Sequence, residues 1–127
     1  MQKTPINAAD APQPVSHYHQ AMLIEGASRV LHISGQIPVA ADGTVPDGFE
    51  AQARQVWRNI EAQLRAADMS FDNLVKVTFF LSSREHTLVN RRVREEVLGD
   101  RDIALTAIIC DIFDEAWLLE IEAVAAA

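Results

Sequence analysis

The sequence predicts an α+β domain in which two amphipathic helices cover one face of a β-sheet. Three observations carry this. Apolar residues recur at helical spacing from Phe49 to Ala67, residues alternate at strand spacing from Asn73 to Leu81, and a second helical stretch precedes two further strand-like segments. The expected order is β-β-α-β-α-β-β, in one domain spanning residues 1–127.

Residues 1–16, with Pro5, Pro12 and Pro14, read as an extended arm. The apolar run Gln20–Glu25, the turn Gly26-Ala27-Ser28 and the run Arg29–Ser34 predict a hairpin. Gly35 to Pro46 is loop, with Asp42-Gly43 as its turn. Asp47 and Glu50 have capping-box spacing and should open the first helix, which carries Phe49, Ala53, Val56, Trp57, Ile60, Leu64 and Ala67 on one stripe and ends near Asp68. On the following strand Val75, Val77, Phe79 and Leu81 should share one face, and Leu74, Lys76, Thr78 and Phe80 the other. Ser82 and Glu85 repeat the capping-box spacing ahead of a helix bearing Leu88, Val89, Val93 and Val97, with Gly99 as its left-handed terminus.

Two strands, about Ala104–Phe113 and Trp117–Val124, flank the turn Asp114-Glu115. Trp117, Leu119, Ile121 and Ala123 form an apolar face that should lie under the helices. Glu120 and Glu122 between Leu118 and Val124, and Asp111 with Leu105, Ala107, Ile109 and Phe113, make mixed faces. Carboxylates among apolar residues suit a face that meets other subunits around small polar pockets. Cys110 alternates onto the apolar side and reads as a small buried hydrophobe.

Composition narrows the function. The net charge of -7 argues against a general nucleic-acid binder, and the arginines between Arg84 and Arg101 alternate with Glu85, Glu95 and Glu96 as on a solvated helix face. The start of the chain lacks a signal-peptide pattern, and no apolar run approaches the ~20 residues of a membrane span. A single cysteine permits no internal disulfide, which fits a reducing cytoplasm. His17 and His19 are spaced like metal ligands but have no evident third, so no metal site is expected.

Several segments together resemble the RidA family, also called YjgF or L-PSP. Ser16-His17-Tyr18-His19-Gln20-Ala21 keeps the tyrosine, glutamine and alanine of its first motif, and Ser34-Gly35-Gln36-Ile37-Pro38 is a family motif unchanged. Gln52-Ala53-Arg54-Gln55 with Asn59-Ile60, the strand Leu74–Leu81, Val89-Asn90 and Glu120–Ala125 follow in the family's order and spacing. The resemblance spans about residues 16–125.

It implies a homotrimer with a fold like that of trimeric chorismate mutase and small-molecule pockets between subunits. It further implies hydrolysis of reactive enamines and imines, such as 2-aminoacrylate, without metal or organic cofactor. On this resemblance Glu120 positions water, and Tyr18, Ser34, Gly35, Gln36, Asn90, Leu105 and Ala107 contact the ligand. The family's carboxylate-gripping arginine has no counterpart: that motif reads Ile103-Ala104-Leu105-Thr106 here. Leucine offers none of the charge-assisted bonds of a guanidinium, so 2-aminoacrylate turnover is not implied for this chain, and Arg101 and Arg29 are the candidates to compensate. Three readings stay open: an enamine or imine hydrolase with an altered substrate, a non-catalytic metabolite-binding trimer, and the endoribonuclease or translation-inhibitor activity attached to the L-PSP name.

Overall fold

A computed structural model describes residues 1–127. The strands are β1 (Gln2–Ile6), β2 (Ala21–Glu25), β3 (Val30–Gln36), β4 (Leu74–Leu81), β5 (Ala104–Ile109) and β6 (Leu119–Ala126), and the helices are α1 (Phe49–Ala66) and α2 (Thr87–Leu98). The main sheet is mixed, in the order β3-β6-β4-β5, with β5 parallel to β4 and the other neighbours antiparallel. Both helices lie on one of its faces. Ala53, Val56, Ile60 and Leu64 of α1 and Val93 of α2 are fully buried against Val77, Phe79, Leu119 and Ile121.

The expected hairpin of β2 and β3 does not form. β2 pairs with β1 as a separate two-stranded ribbon, while β3 pairs with β6, so the strands make two sheets rather than one. The arm is therefore partly a strand. Pro5 is tolerated because β1 is an edge. The ribbon is tied down by polar contacts. Lys3 Nζ donates to the Leu74 carbonyl at 2.7 Å, and His19 bonds Asp102 through Nε2 (2.7 Å) and Asn7 through Nδ1 (3.0 Å).

Both capping boxes shift. Gly48, at φ 85°, is the residue ahead of α1, and Asp47 caps nothing. Glu50 instead meets Arg92 and Arg54, in a network with Glu96 that joins the two helices. Those arginines hold the carboxyls of Glu50 and Glu96 below their ordinary range. Before α2, Ser83 rather than Ser82 caps a single 3₁₀ turn, Arg84–His86. Gly99 ends α2 at φ 59°, as its position implied.

β4 begins with an irregularity between Leu74 and Lys76, which carries Leu74 into the core and leaves Val75 half-buried. β5 is shorter than expected, and residues 110–118 are irregular, so Trp117 lies outside β6. Cys110 is half-buried rather than a core residue. β5 has a neighbour on one side only, and Thr106 to Ile109 are exposed.

Candidate functional site

Seven of the eight predicted site residues fall into two groups on opposite faces of the main sheet, and Gln36, opposite core-facing Ile121 and bonded to Gln63 of α1, belongs to neither. Register decides this. Leu105 sits beside Val77 and Ala107 beside Phe79, whose side chains face the helices. Glu120 sits beside Phe80, three residues from Val77 and hence on the opposite, open face. The mixed faces that carry Leu105 and Glu120 are thus on opposite sides of the sheet within a single chain. Within β5, Leu105, Ala107 and Ile109 alternate with Ala104, Thr106 and Ile108, so both sides carry apolar residues and only the parallel pairing fixes which side meets the helices.

The first group lines a cavity of about 340 Å³ between α2, β5 and the segment before β2. It contains Tyr18, Asn90, Leu105 and Ala107, with Arg91 and Arg94 from α2. Tyr18 is placed there by backbone pairing: the His19 N–H donates to the Ile103 carbonyl at 2.8 Å, and His19 bridges to Ala104 at the free edge of β5. Asn90 is buried, and its Oδ1 has no hydrogen-bond partner. Arg94 is only 6% exposed, donates to Ser16 Oγ at 3.2 Å and lies 3.7 Å from Glu95. Burial pushes its guanidinium pKa down, Glu95 opposes this, and Arg91 adds repulsion.

The second group is Ser34, Gly35 and Glu120. One extra residue of β3 is inserted between Ile33, opposite Ala123, and Gln36, opposite Ile121, so Ser34-Gly35 forms a bulge. The Glu120 side chain lies against Gly35, where a Cβ would stand 1.9 Å from Oε2. Gly35 therefore leaves room for the Glu120 carboxylate, which a side chain there would displace. Gln36 turns away, its Nε2 donating to the Ser34 carbonyl at 2.9 Å and its Oε1 accepting from Gln63 at 3.3 Å. Ser34 opens instead onto a shallow hollow of about 490 Å³ on the open face, with His32, Lys76, Thr78, Glu122 and Val124. There Lys76 Nζ donates to Thr106 Oγ1 at 2.6 Å. Desolvation lowers the Lys76 pKa, and Glu122 partly restores it.

Neither expected substitute for the missing arginine reaches Leu105. Arg101 pairs with Asp72 at 2.7 Å and donates to the Leu98 carbonyl, and Arg29 donates to the Ala67 carbonyl. The arginines that do line the Leu105 cavity, Arg91 and Arg94, were hidden in a run that reads as a solvated face. The available signal was spacing: Asn90 and Arg94, four apart, share one side of α2.

The family model described as endoribonuclease L-PSP matches residues 8–127. The chain belongs to this family, the RidA/YjgF/L-PSP family. A RutC family protein of Pyrococcus horikoshii is 34% identical over 125 residues, covering 97% of each chain. Protein HMF1 of Saccharomyces cerevisiae is 31% identical over 124 residues, covering 97% of this chain and 94% of its own. Among solved structures, a Rid family protein of Yersinia pestis described as of unknown function superposes with a TM-score of 0.84 at 23% identity over the full length of both chains. RidA from an Antarctic Psychrobacter gives a TM-score of 0.74 at 29% identity, with 98% of this chain and 99% of that one covered. The family fold, chorismate-mutase-like with two helices on one face of a mixed sheet, is thus that of this chain. No helix is long and apolar enough to cross a membrane.

Proposed function

We propose that this L-PSP family protein binds a small metabolite at pockets between subunits of a homotrimer and carries a modified form of enamine or imine hydrolysis. The observation behind this reading is the division of the site. Tyr18, Asn90, Leu105 and Ala107 line a cavity on the helix side, and Ser34, Gly35 and Glu120 lie on the open face. Residues on opposite faces of one sheet cannot converge on one ligand within a chain. They converge if one copy's open face packs beside the edge strand β5 of the next, the head-to-tail contact from which rings are built. Exposed Ile108 and Ile109 on β5 and fully uncovered Phe113 just beyond it give that edge apolar surface to bury.

In such a pocket the Glu120 carboxylate, held against Gly35, orients a water for attack on a C=N carbon or takes its proton. Leu105 supplies an aliphatic wall where the family arginine would grip a carboxylate, so 2-aminoacrylate is hydrolysed weakly or not at all. The test is a coupled assay that generates 2-aminoacrylate from serine, run beside a thermal-shift screen of small acids, amines and amides. Ligand binding without turnover of any imine tried would favour the non-catalytic metabolite-binding trimer. Rates like those of an arginine-bearing RidA would overturn the role given to Leu105. The nuclease reading has little support in a chain of net charge -7 whose cationic cavity holds about 340 Å³.

A further inference from the structure

The helix-side cavity has an electrostatic character that the rest of the chain does not share. Its twelve lining residues include Arg91 and Arg94 and no carboxylate. Arg91 enters none of the ion pairs of the chain, which engage Arg54, Arg65, Arg92, Arg94 and Arg101. Arg94 is buried with a neutral hydroxyl as its closest side-chain partner, and Glu95 at 3.7 Å is half-exposed and outside the lining. A buried cation with so loose a counter-ion is costly unless an anion completes it. Beside it the Asn90 Oδ1 is buried without a donor. A native structure rarely leaves such a group unpaired without a ligand or water to satisfy it.

We infer that Arg94 and Arg91 form an anion-binding subsite in the Leu105 cavity, which receives the carboxylate or phosphate of a small organic ligand. This rests on the reading of that cavity as part of the ligand site, and it deepens it by fixing the ligand's charge. The anion is thus held from the α2 side of the cavity and not at position 105, so this subsite does not restore the carboxylate grip that 2-aminoacrylate turnover needs. Arg94 is the fixed group, held by burial and by Ser16, and the half-buried Arg91 closes from the rim. Guanidinium forks suit both carboxylate and phosphate, so the two sources of negative charge must be separated by experiment.

Calorimetry on the intact protein with 2-oxobutyrate, succinate and inorganic phosphate, each organic acid paired with its neutral amide, tests the subsite. Wild type should bind at least one of the anions and not the amides, and whichever anion binds identifies the source. Arg91→Ala and Arg94→Lys should each weaken that binding about tenfold or more, as expected for loss of charged hydrogen bonds. Arg91 is half-buried and unpaired, so its variant folds even if Arg94→Lys, checked by thermal melting, does not. Equal affinity of a folded Arg91→Ala variant and wild type, or binding of acid and amide alike, would overturn the subsite while leaving the metabolite site in place. Failure of wild type to bind any acid or amide would instead remove the cavity as a ligand site, and the subsite with it.

Discussion

Gly35 and Glu120 are in direct contact, the carboxylate of Glu120 resting where a side chain at position 35 would begin. The backbone at Gly35 is not left-handed, so its requirement is space alone. The bulge in β3 turns Gly35 toward β6 and thereby fixes where the Glu120 carboxylate sits.

Gly35→Ala should therefore act through Glu120. The intruded atom is the end of a flexible side chain, so the variant folds, with a stability loss of about 1 kcal/mol. Its effect on ligand binding or turnover should match that of Glu120→Ala, and the double variant should be no worse than either single one. Thermal melts and titrations of the three proteins check this; additive losses would mean that Gly35 acts elsewhere.

Leu105→Arg places a third cation in a cavity already lined by Arg91 and Arg94. The melting temperature should fall at low ionic strength and partly recover in high salt, since screening weakens like-charge repulsion. The same substitution in an Arg91→Ala background should be less harmful. Melting curves at two salt concentrations read both effects.

The inter-helix network makes stability depend on acid pH. The carboxyls of Glu50 and Glu96 are held below their ordinary value of 4.5 by bonds from Arg92 and Arg54. A carboxylate with a depressed folded pKa stabilises fully above its unfolded pKa and loses that contribution as pH falls through the folded one. The melting temperature should thus drop as pH falls below 4.5, with a shallower slope in Glu50→Gln. The groups are exposed, so the effect should also shrink with added salt.

The N-terminal ribbon depends on His19, which joins Asn7 on one side and Asp102 on the other. His19→Ala should raise amide hydrogen exchange across Gln2–Ile6 and Ala21–Glu25 while β4 and β6 keep their protection. Loss of protection in all strands together would show that the ribbon and the main sheet unfold as one unit.

These relationships were unevenly legible in the sequence. α1 and β4 follow from periodicity because each has one buried face, and Ile60, Leu64, Val77 and Phe79 are where the pattern put them. Each capping residue lies one position later than expected, and ahead of α1 this is because Gly48 takes a positive φ and Glu50 finds stronger partners in Arg92 and Arg54. The face of Leu105 was not legible, since β5 is an edge strand with a mixed pattern and its orientation depends on a parallel register that no local signal encodes. Gly35 and Glu120, far apart in the sequence, are neighbours in the fold, whereas Arg94 reads as one more surface arginine in a sequence that does not show α2 packed beside β5.

In the proposed function, the helix-side cavity of one subunit and the Gly35–Glu120 face of another make one site. Co-assembly of two variants tests it most directly. Leu105→Trp fills the cavity and Glu120→Ala empties the other half, and each alone should abolish binding of a small acid that the wild type takes up. Assemblies refolded from an equal mixture should regain about one quarter of the wild-type sites by calorimetry, because in the proposed head-to-tail ring an interface pairs two intact halves with that probability. No regained binding in mixed assemblies would contradict the shared site.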